Sequence, residues 1–139
     1  MSRMSTLTAA AALAGAAATL IAATGPLALS QVQPGLWEIS GAPGTSAPVR
    51  QCIADLATLA RFEHRASNCI AKLSKAAGTV ESIDYTCGGG EFGHSEIDVI
   101  TPRSLRISTQ GISGGLPFNY VLQARRVDDC TKGPQTARH

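Results

Sequence analysis

The sequence predicts a mainly β domain: a curved antiparallel meander, half-open and barrel-like, with one short helix and two disulfide staples. Three observations carry this. From residue 68 onward, apolar residues recur at every second position through Cys69-Ala71-Leu73, Ile83-Tyr85-Cys87, Ile97-Val99, Leu105-Ile107 and Leu116-Phe118-Tyr120-Leu122-Ala124. A period of two is that of a strand with one buried face. Short turn signals separate the runs: Ala77-Gly78, Gly88-Gly89-Gly90, Thr101-Pro102 and Gly111 to Gly115. Consecutive strands with short connections pair antiparallel, and such a sheet buries one face and wets the other. Finally, the chain has 4 cysteines in 139 residues, and a domain of this size has a limited core that staples reinforce.

The elements before the meander follow from local pattern. Met1 to Ser30 reads as a secretory signal peptide: Arg3 gives the positive start, Ala9 to Ala23 the apolar run, and Gly25-Pro26 its end. Ala28 and Ser30 are small residues suited to cleavage before Gln31. The run is short of the ~20 apolar residues that span a bilayer, so a cleaved, exported protein that does not span the membrane is expected. Residues 31–130 then form a single β-rich domain and 131–139 a polar, flexible tail. Pro34 to Ser40 opens the domain as a strand with Trp37 and Ile39 on one face, and Val49 to Ile53 is a second. Asp55 suits a helix N-cap, with Leu56, Leu59 and Ala60 on the buried side of one or two turns.

Composition excludes several classes. Lys+Arg number 12 against 10 Asp+Glu, a net charge of +2. Nucleic-acid binders carry a basic stripe, and disordered chains combine low hydrophobicity with high net charge; a chain 44% hydrophobic and near neutral fits neither. Export makes the cysteines disulfide formers, since such bonds persist in oxidising compartments. The cysteine intervals are 17, 18 and 43 residues, with no C-x-x-C pair. Structural zinc sites need closely spaced ligand pairs, so no metal and no cofactor is expected.

One register selects a pairing. If facing residues sum to 156, Cys69 faces Cys87, Ala71 faces Tyr85 and Leu73 faces Ile83, while Lys72 faces Asp84 and Lys75 faces Glu81. A shift of one residue would flip every side chain to the other face. Facing Cα atoms lie ~4.5–5.5 Å apart, inside the window a disulfide tolerates. Cys69–Cys87 is therefore expected, with Cys52–Cys130; the alternative is Cys52–Cys69 with Cys87–Cys130. The register implies a three-residue loop, Ala77-Gly78-Thr79, with its glycine misplaced in the middle.

Pro34-Gly35-Leu36-Trp37-Glu38, Gln51-Cys52, Cys69, Cys87 and Asp129-Cys130 together resemble the secreted bacterial family catalogued as domain of unknown function 3617. The resemblance runs from Gln33 to Cys130. It implies a proteobacterial protein of the envelope or the medium, and it implies no activity, substrate or catalytic residue.

Chemistry-bearing motifs are few. Gly111-Ile112-Ser113-Gly114-Gly115 spells G-x-S-x-G, but a nucleophile elbow needs a strand-to-helix turn, and this stretch lies between two strands; it reads as a hairpin turn. Gly88-Gly89-Gly90 has no G-K-[ST] after it and reads as a turn. His94, Glu96 and Asp98 share one strand face, opposite Ile97 and Val99, and are expected on the solvated side. Arg103, Arg106, Arg125 and Arg126 read as surface charge balanced by Asp128 and Asp129. Trp37, Phe92, Phe118 and Tyr120 are the candidates for lining a ligand cavity. The functional expectation is a non-catalytic envelope module that binds a small apolar ligand or an envelope protein. The alternatives are an inhibitor of an envelope hydrolase acting through Gly111–Pro117, and a small enzyme using His94, Glu96 and Asp98.

Overall fold

The computed structural model describes residues 27–130. The expected signal peptide up to Pro26 and the expected flexible tail, Thr131–His139, lie outside the described residues. Seven strands form: β1 (Gly35–Ser40), β2 (Val49–Ile53), β3 (Cys69–Ala77), β4 (Val80–Cys87), β5 (Phe92–Thr101), β6 (Ser104–Ser113) and β7 (Leu116–Asp128). All neighbours are antiparallel, in one sheet of order β2-β1-β7-β6-β5-β4-β3. The five strands from β3 to β7 are the meander the alternation predicts. The last of them, β7, then turns its free side to β1. The sheet stays open, with β2 and β3 as its edges.

Alternation sorts the side chains. Ser95, Ile97 and Val99 of β5, Leu105, Ile107 and Thr109 of β6, and Leu122 and Ala124 of β7 are buried, with Trp37 and Ile39 of β1. Residues 54–68 cross this inner face on the way from β2 to β3. They contain α1 (Ala57–Ala60) and a 3-10 turn, Phe62–His64. The N-cap is Leu56, without a side-chain cap, rather than the expected Asp55; one residue earlier, the Asp55 Oδ1 accepts the Ala57 N–H at 3.0 Å. Leu56, Leu59, Ala60 and Phe62 are buried against the sheet. The helix is pinned there by Ser95, whose hydroxyl donates to the Ala60 carbonyl and is bonded to Thr109 Oγ1 at 2.8 Å. A further 3-10 turn, Ala28–Gln31, contains the last residues of the expected leader. Ala28 is buried there, and the Leu29 N–H donates to Glu81 Oε1 at 2.9 Å. Among the described residues no helix is long and apolar enough to cross a membrane.

Both disulfides are those expected. Cys69 and Cys87 face each other across β3 and β4 with Cα atoms 4.2 Å apart, and Cys52 joins Cys130 at 5.7 Å.

Three expectations need correction. The 156 register holds from Cys69–Cys87 to Leu73–Ile83 and then shifts, so Lys75 faces Ser82 rather than Glu81. A bulge at Ser74, whose Oγ donates to the Ser82 carbonyl at 3.1 Å, absorbs the extra residue. The turn then shrinks to Gly78-Thr79 between the facing Ala77 and Val80, and Gly78 takes a left-handed φ of 61°. That removes the misplaced glycine of the three-residue loop. Second, β3 is not half buried: Ile70 to Ala77 are all exposed. The covering segment packs over β5 and β6 and leaves this edge strand bare. Third, the turn expected over Gly111–Gly115 is only Gly114-Gly115, because β6 continues to Ser113, which faces Leu116.

Candidate functional site

The register places five strands side by side at their Cys69–Cys87 end. Thr86, Phe92, Ile112 and Pro117 form one row across β4 to β7, and Asp84, His94, Gln110 and Asn119 form another. Both rows point to the outer face. Between them runs a row of Tyr85, Gly93, Gly111 and Phe118, whose side chains, where present, point inward. The result is a trough across the strands, an open cavity of about 640 Å³ bordered by these three rows. One wall is mainly apolar and the other wholly polar. Phe92 is 49% exposed on the apolar wall.

The floor needs its glycines. A Cβ at Gly93 would sit 2.3 Å from the Tyr85 ring, and one at Gly111 2.1 Å from the Phe92 carbonyl oxygen. Beneath the floor, Tyr85 OH lies 3.2 Å from His64 Nδ1, and the Phe118 ring meets the His64 ring edge-on at 5.8 Å. His64 Nε2 comes within 3.4 Å of Glu91 Oε2, inside ion-pair reach but without hydrogen-bond geometry. Glu91 in turn accepts the Gly114 N–H at 2.8 Å, tying the β4–β5 connection to the β6–β7 turn. Tyr120 OH donates to Glu63 Oε2 at 2.7 Å. Burial pushes the Tyr120 phenol far above the usual tyrosine value, and the Glu63 carboxylate pushes it further. Burial likewise raises the Tyr85 phenol. Both therefore remain neutral hydrogen-bonding groups, which suits a rigid support.

On the polar wall, His94 Nδ1 and Asp84 Oδ1 are 2.5 Å apart. The His94 hydrogen bond holds the Asp84 carboxyl below the usual carboxylate range, with Lys72 adding attraction. A depressed carboxyl contributes stability above its unfolded-state pKa, and that contribution is lost as pH falls through the folded value. An NMR titration will therefore place the Asp84 midpoint below ~3.9, the free-aspartate value, and His94→Ala will return it toward that value. An unchanged Asp84 midpoint in His94→Ala would remove the pair from the account of this wall.

The four aromatics singled out in the sequence do not share one cavity. Phe92 and Phe118 border the trough, Phe118 as part of its floor. Trp37 is fully buried in the core, and Tyr120 sits on the inner side beside Phe62 and Glu63. His94, Glu96 and Asp98 share the outer face as expected, and none of them is hydrogen-bonded to another of the three. His94 pairs with Asp84 of the next strand, and Asp98 accepts from Thr79 at 2.9 Å. Two of the four arginines are engaged: Arg125 shares Glu38 with Arg50, at 3.0 and 3.1 Å, and Arg126 binds Asp129 and the Pro34 carbonyl. The Arg50 hydrogen bond, followed by Arg125, holds the Glu38 carboxyl below its usual range. Among the described residues no group of three His, Cys, Asp or Glu is placed to hold a metal ion.

Apart from His94, the polar wall was not singled out in the sequence as a site, nor was the histidine under the floor. Asp84, Gln110 and Asn119 are dispersed along the chain and meet only through the register of four strands. His64 lies in a short irregular stretch without periodicity. No family model matches the chain, and neither a curated protein nor a solved structure does. What the geometry defines is an open antiparallel β domain with a rigidly supported trough across its outer face.

Proposed function

We propose that this chain is an exported, non-catalytic binding module that holds a small ligand in the transverse trough. The observation that carries the reading is the trough itself. Ligand sites are concave, ~300–1,000 Å³ in volume, and mainly apolar with a few placed polar groups, and a cavity of about 640 Å³ between Phe92 and the Asp84–His94 pair has that form. The floor is braced from below by His64, Tyr85 and Glu91, so little ordering is needed when a ligand arrives. The expected leader, Met1 to Ser30, and the two disulfides support an oxidising compartment outside the cytoplasm. The spacing of Pro34–Glu38, Cys52, Cys69, Cys87 and Cys130 supports placing the chain with the secreted family of unknown function 3617.

Nile red, a neutral apolar dye, tests the site without knowledge of the natural ligand. Its fluorescence should rise saturably with the full-length mature protein. Phe92→Ala should weaken the dye about tenfold or more, given the ~1.5–3 kcal/mol that covering such a side chain contributes. Equal dye affinity for Phe92→Ala and the parent protein would overturn the trough as the site.

A further inference from the structure

We infer that the trough takes a neutral oligosaccharide, its sugar rings laid on Phe92 and their hydroxyls turned to the polar wall. This rests on the reading of the trough as a ligand site and adds the class of ligand.

The two walls make opposite demands. Phe92 offers a half-exposed aromatic ring. Across the floor, Asp84, His94, Gln110 and Asn119 stand in one register row, all polar. An acyl chain or other wholly apolar body would satisfy the first wall and strip water from the second, leaving the Gln110 and Asn119 carboxamides without partners and the Asp84–His94 pair with only each other. An anion would meet the Asp84 carboxylate, which His94 and Lys72 keep ionised.

A sugar ring meets both demands at once. One side of the ring presents C–H groups to an aromatic face, and its edge carries hydroxyls that both donate and accept. The wall is matched to such an edge. The carboxamides of Gln110 and Asn119 donate and accept, and the Asp84 carboxylate only accepts. His94 has its Nδ1 on Asp84, which leaves Nε2 for a ligand hydroxyl. The two rows stand two residues apart along their strands, about 6.7 Å, the width of a single ring. Neighbouring strands repeat every ~4.8 Å, and the polar row continues onto the edge strand as Lys72, which faces Asp84. Wall chemistry repeated across that many strands suits a chain of rings better than one ring.

Isothermal titration calorimetry of the mature protein against chitotetraose, cellotetraose and maltotetraose tests the inference, with Nile red displacement in parallel. At least one of the three should bind and displace the dye, and raising the salt concentration should leave its affinity unchanged, because the ligand is neutral. Phe92→Ala should abolish sugar binding. The double variant Gln110→Ala/Asn119→Ala, with its fold checked by circular dichroism, should weaken the sugar about tenfold or more while Nile red binds as before. If Nile red binds in a Phe92-dependent way and none of the three sugars does, the ligand class is wrong and the site stands. If neither dye nor sugar binds, both inferences fall. Sugar binding that survives the Gln110/Asn119 double variant unchanged overturns the role given to the polar wall.

Discussion

Replacing Cys52 and Cys130 together with alanine will lower the unfolding free energy by about 4–5 kcal/mol, and replacing Cys69 and Cys87 by about 3 kcal/mol, on the loop-closure account of a disulfide. The difference comes from loop length: the first bond joins residues 78 apart in the chain and the second 18. Geometry adds to it. Cys52 lies on edge strand β2, and Cys130 lies just beyond β7, so their bond ties together the two strands that flank β1. Losing it frees the β1–β2 hairpin, and with it the strand that carries Trp37. Cys69–Cys87 instead fastens β3, an edge strand with exposed faces and one neighbour. Its loss should release that strand locally, read as faster amide exchange over residues 69–77 before the rest of the sheet opens. A domain of about 100 residues has a total stability of ~5–15 kcal/mol, so reduction of both bonds will consume half of it or more. Urea unfolding of the two double variants checks the ranking. A loss below ~1 kcal/mol for the Cys52/Cys130 variant would mean that the unfolded chain is already restricted in that loop.

The correct half of the hairpin reading shows what a sequence can specify. Cys69–Cys87, Ala71–Tyr85, Lys72–Asp84 and Leu73–Ile83 agree on one register because side-chain alternation and cross-strand chemistry are local constraints, and both are written in the residues themselves. The bulge at Ser74 is not: it depends on a hydroxyl bonding to the Ser82 carbonyl, an arrangement that alternation cannot encode. The exposure of Ala71 and Leu73 was illegible for another reason. Their period matches that of a buried strand, but β3 is an edge that the helical crossing does not reach, and edge position is a property of the whole sheet. The trough needed more still. Phe92 was visible as a lone aromatic, and His94 as a polar residue on a strand. Their relation to Asp84, Gln110 and Asn119 exists only once four strands are in register. Gly111 reads as a turn residue, and Gly93 carries no signal of its own, until Tyr85 and Phe92 show what a Cβ would strike.

Trp37→Ala will cost about 3–5 kcal/mol, the range for removing a large buried aromatic, and will leave the trough untouched in the protein that remains folded. Trp37 is fully buried on β1, between β2 and β7 and on the inner face, and its Nε1–H donates to the Gln33 carbonyl at 3.2 Å. Its side chain fills the core under the helical crossing, while the trough opens on the opposite face across β4 to β7. The same reasoning separates it from Phe92, which is half exposed and contributes little to the core: Phe92→Ala should unfold near the parent midpoint and lose the dye. Trp37→Phe keeps most of the volume and removes the indole N–H, so it should be only mildly destabilising and keep full Nile red affinity. Since Trp37 is the only tryptophan in the chain, its fluorescence reports unfolding in the parent protein and in Phe92→Ala alike. The comparison also decides between the two places where a ligand would meet an aromatic of this chain. If Trp37→Phe weakened the dye as much as Phe92→Ala, the ligand would have to enter the inner face beneath α1, and the outer trough would be only a furrow between two rows of side chains.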